Sequence, residues 1–328
     1  MNTRNRWLLC VCAAVSLGLV GAKTGEVRAQ VYPHKVIRVV VPYTPGGTSD
    51  FVARAVGQKL AEAWGAPVNI DNRPGGGGNI GAELVARAPT DGYTLLVVGT
   101  AHAINPTLYG KLQYDPIKDF TVITQLTGGS VMLVVHPSLP AKTVKQFVAL
   151  AKSRKPGIVY SSAGSGQPSH LGMEMLKSVA GFDAIHVPYK GSAPSVIDLM
   201  GGQVDASLTP VIGGLSLVRH GKLTAVAVTG LHRFPLAPEI PTIAESGYPG
   251  FEINSWFGLL APAGIPPEIA AKLYAEVSRI LKLPEVRERM IANGTDPVGS
   301  TPAEFTAYIN SETIKWAGVV KRSGARAD

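Results

Sequence analysis

Short apolar runs alternate along this chain with segments whose apolar residues recur at helical spacing. Residues 36–41 predict a strand, and Val52, Ala55, Val56 and Leu60 mark one face of a helix over residues 49–64. A short strand at 68–70 precedes the loop DNRPGGGG at 71–78 and a helix over 79–88 packed through Ile80, Leu84 and Val85. Residues 93–99 are apolar without interruption, as expected of a strand covered on both faces.

The same alternation restarts near Val131. Strands are expected at 131–135, 158–160, 186–189, 204–208 and 225–228, with helices over 143–152, from the loop at 161–170 to Ala180, and from Ser192 to Gly201. Ser192 is expected to cap its helix, with Pro194 in the first turn. Residues 233–250 are rich in Pro and Gly and read as a connection. A strand at 255–260 follows, and two helices close the chain. One covers 267–281 through Ile269, Leu273, Val277 and Ile280; the last opens on the capping box Thr301-Pro302-Ala303-Glu304. The class is α/β throughout. Crossings between two regions are expected near 125–131 and 245–256.

Two loops carry the candidate chemistry. In VVVPYTPGGTSD, residues 39–50, an apolar strand enters a Pro/Gly turn and then a helix, leaving backbone N–H groups directed at whatever lies above. SSAGSGQPSH, residues 161–170, repeats that character. Two such loops on two lobes predict a clamp around a small carboxylated solute rather than an enzyme.

The N-terminus sets the compartment. Arg4 and Arg6 precede the apolar run 7–20, and Val27-Arg28-Ala29 supplies small-residue cleavage positions, so residues 1–29 read as a secretory signal peptide. Both cysteines, Cys10 and Cys12, lie inside it; a mature chain would have no disulfide, thiolate nucleophile or cysteine-bound metal. Four basic residues and one acidic residue leave with the signal, which lowers the net charge from +8 to +5. The remaining cations are scattered, with no basic run interleaved with aromatics, so nucleic acid is not an expected partner. The residues after the signal suffice for two sizeable cores.

The chain resembles the Bug family, the periplasmic solute receptors of tripartite tricarboxylate transporters (TctC-like). The similarity rests on YPHKVIRVVVPYTPGGTSD (32–50), VNIDNRPGGGGNIG (68–81), APTDGYTL (88–95), NPTLY (105–109), HVPYKG (186–191) and GKLTAVAVT (221–229), in that order over nearly all of the chain after the signal. It implies a two-domain Venus-flytrap fold, each domain a sheet flanked by helices. Domain 1 would take residues 30–128, domain 2 residues 129–250, and residues 251–328 would return to domain 1. It also implies a carboxylate held by loop amides and waters, no cofactor, a monomer, and transient contact with an inner-membrane transporter.

Carried onto this chain, the first loop offers Tyr43, Pro45, Gly46, Gly47, Thr48, Ser49 and Asp50. Gly46 and Gly47 allow close backbone approach, Thr48 and Ser49 can donate hydroxyls, and Asp50 suits orienting the loop better than meeting a carboxylate. The second loop offers Ser161, Ser162, Gly164, Ser165, Gly166 and His170. For His170, the helix field opposes protonation and a bound carboxylate favours it; a hydrogen bond between a neutral ring and backbone is the alternative. Tyr189, Lys190, Asp205 and Thr209 are further candidates for the cleft wall, whereas Trp256 and Phe257 are expected to pack beside the crossover strand. Neither loop contains an arginine. That departs from a bidentate polycarboxylate site and leaves Arg54 and Arg73 as residues that could fold back.

Competing readings fit less well. Gly76-Gly77-Gly78-Asn79-Ile80-Gly81 matches the dinucleotide-binding spacing, but Pro74 intervenes and no acidic residue follows at a strand end; a close loop-to-helix crossing accounts for these glycines. Ala163-Gly164-Ser165-Gly166 lacks the first glycine of a nucleophile elbow, so a serine hydrolase remains a distant alternative. The seven histidines are isolated and show no metal-ligand spacing. A solute sensor for a membrane signalling partner would have the same cleft.

Overall fold

Two sheets of matching topology organise the computed structural model, which describes residues 32–189 and 191–327, with only the backbone of Ile212. The expected signal peptide lies outside these residues. From Lys35 onward the chain forms one unit. It runs through β1 (Ile37–Val41), α1 (Thr48–Trp64), β2 (Val68–Asn72), α2 (Asn79–Ala86), β3 (Thr94–Gly99), α3 (Ala101–Leu108) and β4 (Phe120–Gly128). There follow β5 (Val131–Val135), α4 (Val144–Ser153), β6 (Ile158–Ser162), α5 (Pro168–Ala180), β7 (Ala184–Pro188), α6 (Ser192–Met200), β8 (Ala206–Pro210), α7 (Val211–Arg219) and β9 (Thr224–Val228). The chain ends with β10 (Phe257–Pro262), α8 (Pro267–Ile280), α9 (Pro284–Ala292), β11 (Asp296–Pro297) and α10 (Pro302–Ser323).

The first sheet has the order β11-β4-β10-β3-β1-β2 and the second β7-β6-β8-β5-β9. In each, three parallel strands (β2-β1-β3 and β7-β6-β8) are followed by an antiparallel strand from elsewhere in the chain, β10 or β5. The first parallel strand lies in the middle of its trio, so successive connections leave it in opposite directions. A crevice opens at the carboxyl ends of strands placed in this way. The loops after β1 and β6 therefore occupy equivalent positions at the two crevices.

β1 and β3 are almost fully buried along their length, which explains their unbroken apolar runs. β7 is an edge strand with exposed and half-buried positions, and its sequence mixes polar and apolar residues accordingly. Thr143 accepts from the amide of Gln146 and caps α4, and Thr301 with Glu304 completes the expected capping box on α10. α10 buries Trp316, whose indole N–H donates to Glu312; Trp256 donates to the same carboxylate at 3.2 Å.

Two crossover segments link the sheets. Ser130 and Asn254 form an antiparallel bridge, and the amide of Ser255 donates to the carbonyl of Gly129 at 2.8 Å. Buried Thr229 ties both to β9: its hydroxyl accepts from the Val131 amide at 3.0 Å and donates to the Ile253 carbonyl at 2.6 Å.

The element pattern needs several corrections. Three helices, not two, close the chain, because Pro284 at the start of α9 begins a new helix rather than ending the last. α3 and α7 were not expected: α3 carries Pro106 within it, and α7 follows β8 with no intervening polar turn. β4 was missed because it mixes threonines and a glutamine into its apolar residues. Ser192 does not cap α6. It is the first helical residue, and Gly191 occupies the capping position.

Candidate binding cleft

The carboxyl ends of both parallel trios, together with the crossover segments, enclose a cavity of about 620 Å³. The first sheet contributes residues 42–44 and 47–49 after β1, Pro74, Gly75, Gly77 and Gly78 after β2, and Gly99, Thr100 and Ala101 after β3. From the second come Ala163 and residues 167–169 after β6, Gly191, Ser192, Ser195 and Val196 around the start of α6, and residues 207–210 on β8. Gly129, Ser130, Val131, Ser255, Phe257, Gly294 and Thr295 complete the wall. Among these described residues none is Lys, Arg, His, Asp or Glu.

With no charged side chain among the described lining residues, the helix ends at the wall supply a positive field. Gly47, extended and without a side chain, precedes α1, so no side-chain cap covers the first turn where Thr48 and Ser49 meet the cavity. Gly191 leaves the start of α6 equally bare. By contrast, the two helices capped by threonine side chains, α4 and α10, contribute no lining residue.

The loop after β1 is fixed from behind. Asp50 is buried and accepts from the amide of Gly46 at 3.1 Å and from Nε of Arg54 at 2.9 Å. Burial pushes its carboxyl up, but the Arg54 and Gly46 hydrogen bonds outweigh this and hold it below the usual carboxylate value. Asn72 donates to the carbonyl of Tyr43 at 3.1 Å, tying the same loop to β2. The Tyr43 hydroxyl is pushed up by desolvation, against a hydrogen bond with the Gly99 backbone.

The loop after β6 is closed on itself. The Ala163 amide donates to Ser169 Oγ, that of Gly164 to Ser162 Oγ, that of Gly166 to His170 Nδ1, and that of Gln167 to the Gly164 carbonyl. Because His170 Nδ1 accepts, it shapes the loop instead of donating to a solute through that nitrogen. Its ring stacks on His186 with centroids 3.9 Å apart, and His186 Nε2 lies 2.6 Å from Ser162 Oγ.

Of the residues proposed from sequence, Tyr43, Gly47, Thr48, Ser49 and Thr209 line the cavity. Pro45, Gly46, Asp50, Ser161, Ser162, Gly164, Ser165, Gly166, His170, Tyr189 and Asp205 are not among the lining residues, and Lys190 lies outside the described ones. Asp205 requires an outright correction. It accepts from the Val159 amide and pairs with Arg154 at 2.8 Å, which ties β8 to β6 at the opposite end from the cleft. Tyr189 donates to Asp198 at 2.6 Å, which pushes its hydroxyl up to about 12. Arg54 and Arg73 are held by Asp50 and Asp71 and do not fold back. Trp256 is buried as expected, but Phe257 lines the cavity because successive strand residues face opposite ways.

Sequence reasoning missed Thr100, Gln167, Ser192, Ser195, Ser207 and Ser255 at the wall. The Gly-bounded start of α6 was a usable signal for the serines there. In the glycine run, a Cβ on Gly81 would lie 2.7 Å from Pro42 Cβ, so this glycine serves a close helix-to-loop crossing. No cluster of metal-ligating side chains occurs among the described residues. Buried Ser162 and half-buried His186, paired at 2.6 Å, are not among the residues lining the cavity.

Comparison with known proteins gives a consistent picture. Residues 52–325 match the family described as the tripartite tricarboxylate transporter family receptor. The protein BugT of Bordetella pertussis is 34% identical over 302 residues, covering 92% of this chain and 93% of BugT. A solved R. palustris protein with adipate is 35% identical with a TM-score of 0.83, covering 90% of this chain and 99% of that one. MatC from Rhodopseudomonas palustris with bound malate is 34% identical with a TM-score of 0.77, covering 88% and 100%.

Proposed function

The chain belongs to the tripartite tricarboxylate transporter receptor (Bug) family, and on that premise we propose that its cleft holds a small carboxylate through the bare first turn of α1. It is a periplasmic receptor of the two-domain binding-protein fold that captures a small carboxylate and delivers it to a membrane transporter. The observation that carries the reading is the pairing of Thr48 and Ser49, at the uncapped start of α1, with a wall whose described residues carry no charged side chain. Amides at a helix start stabilise a carboxylate without a counter-cation, and their field is strongest where water is excluded. The similarity to proteins solved with adipate and malate supports a linear dicarboxylate of that size.

Strand membership supports lobes divided near residues 128–131 and 254–257, with Gly129–Ser130 and Asn254–Ser255 as the flexing segments. On this reading the second crossing comes slightly later than residue 251. Capture then consists of closure: solute bridges donors on both sheets, stabilises the closed form, and the transporter reads that form. A thermal-shift series on residues 30–328, unfolded and refolded to remove carried-over solute, tests the reading. Stabilisation by C4–C6 dicarboxylates but not by phosphate or sugars is expected. Stabilisation by sugars alone, or by no acid of any length, contradicts it.

A further inference from the structure

The last helix crosses from one lobe to the other and contributes no residue to the described cavity wall. α10 starts beside the middle of β4, where Thr124 Oγ1 donates to the carbonyl of Ser300 at 2.7 Å. Its first half is seated on the first sheet: the ring of Phe305 lies so close over Gly258 of β10 that a Cβ there would collide with it. Glu312, buried and halfway along the 22 residues of the helix, reaches the level of the crossover segments. One of its oxygens accepts from the indole of Trp256, next to Ser255, at 3.2 Å and from that of Trp316 at 2.9 Å; Lys315 pairs with the other. About 16 Å of helix continues past that point. Because the first half follows β4 toward the hinge, this remainder extends over the second lobe. There α10 packs against α5, as it packs against α3 and β4 on the first. Ile104 of α3, Trp316 and Val320 of α10, and Leu171 and Leu176 of α5 belong to a single buried apolar cluster.

We infer that α10 is a strap between the lobes, with its fulcrum at Glu312 and Trp256, that biases the receptor toward its closed form before any solute arrives. The inference rests on closure as the mode of capture and adds what sets its resting equilibrium. Two extended crossover segments alone leave the lobes free to part. Here the conformation that encloses the cavity also docks α5 on α10, and it brings Gly166, just ahead of α5, against Leu108 of α3. Parting the lobes exposes apolar surface on a face the solute never touches, which opposes opening in the empty receptor. The fulcrum stays fixed, because a buried carboxylate held by two indoles and an ammonium loses any one of them at high cost. A closed form favoured in this way raises apparent affinity without any added contact to the solute.

The test follows the distance between the lobes. Residues 30–328 contain no cysteine, so spin labels are placed by Ala63→Cys on α1 and Ala149→Cys on α4, both exposed. Pulsed electron spin resonance with and without saturating adipate then defines the closed and open populations. Val320→Ala is expected to enlarge the open fraction of the empty protein and to weaken adipate binding, measured by calorimetry, about 3- to 10-fold. Trp256→Phe, which keeps a ring but removes the N–H, should act in the same direction. Val277→Ala, at a buried valine of α8 on the first lobe, should lower the melting temperature and leave both readings at their wild-type values. Wild-type distances and affinity in Val320→Ala, or tighter binding, overturn the strap and leave capture by closure standing. So does an equal loss of affinity in Val277→Ala. If adipate neither binds nor changes the distances, closure itself fails, and this inference with it.

Discussion

The loops after β1 and β6 occupy the same position in two sheets of the same topology, yet they spend their amides differently. The first is braced from behind by Asp50, Arg54 and Asn72, and Thr48 and Ser49 at the bare helix start face the cavity. The second consumes the amides of Ala163, Gly164, Gly166 and Gln167 in its own hydroxyl, imidazole and carbonyl bonds. Similar Gly/Ser-rich sequences at equivalent topological sites thus produce one open donor site and one closed scaffold. On the second-sheet side, α6 and β8 also contribute lining residues to the cavity. A loop that looks able to bind an anion does so only if its own side chains leave the amides free.

Acid should strain the first-sheet side most. His102, buried on α3, donates from Nε2 to the Pro116 carbonyl at 2.8 Å, and burial lowers it to about 4. Above pH 6.5 its stabilising contribution is complete, because neither state takes up the proton. As the pH falls the unfolded imidazole is protonated first, and the contribution is lost as the pH passes through about 4. The loss is on the order of 3 kcal/mol. Urea midpoints from pH 8 to pH 4 should show this decline, and His102→Gln should flatten it.

Closure is the next weak point. Gly166 has φ +75°, and a Cβ there would collide with Leu108 at the end of α3, so the closed second loop touches the first-sheet side. Gly166→Val should destabilise the closed form by about 2–3 kcal/mol and lower apparent solute affinity about 30- to 100-fold. Calorimetry would measure the affinity, and small-angle scattering with saturating solute should show a more open particle.

Asp50→Ala removes the brace of the open loop and should reduce solute affinity about tenfold. Its counterpart in the closed loop, Ser162→Ala, should lower stability by about 1 kcal/mol and leave affinity within about threefold. Equal affinity losses in these two variants would erase the distinction between the loops.

Much of this was legible from residues alone. Apolar runs exposed β1, β3 and β5, and the Thr301–Glu304 box marked α10 because capping chemistry is local. β4 was not legible, since its Thr124 and Gln125 are buried by pairing partners remote in sequence. At the cleft, the Gly46–Ser49 turn could be recognised because strand, turn and helix are contiguous. Whether the amides of Gly164 and Gly166 were free could not be read, because Ser162 and His170 spend them through side-chain orientation. The Asp205 misplacement has the same origin: its partner Arg154 is distant in sequence.

The most direct test is amide NMR of residues 30–328 titrated with the tightest-binding acid of the panel. If the account is right, the Thr48 and Ser49 amides move strongly downfield at saturation as they gain a carboxylate acceptor, while Gly164 and Gly166, already bonded, shift little. Large downfield shifts at Gly164 and Gly166 with Thr48 and Ser49 unmoved would contradict it.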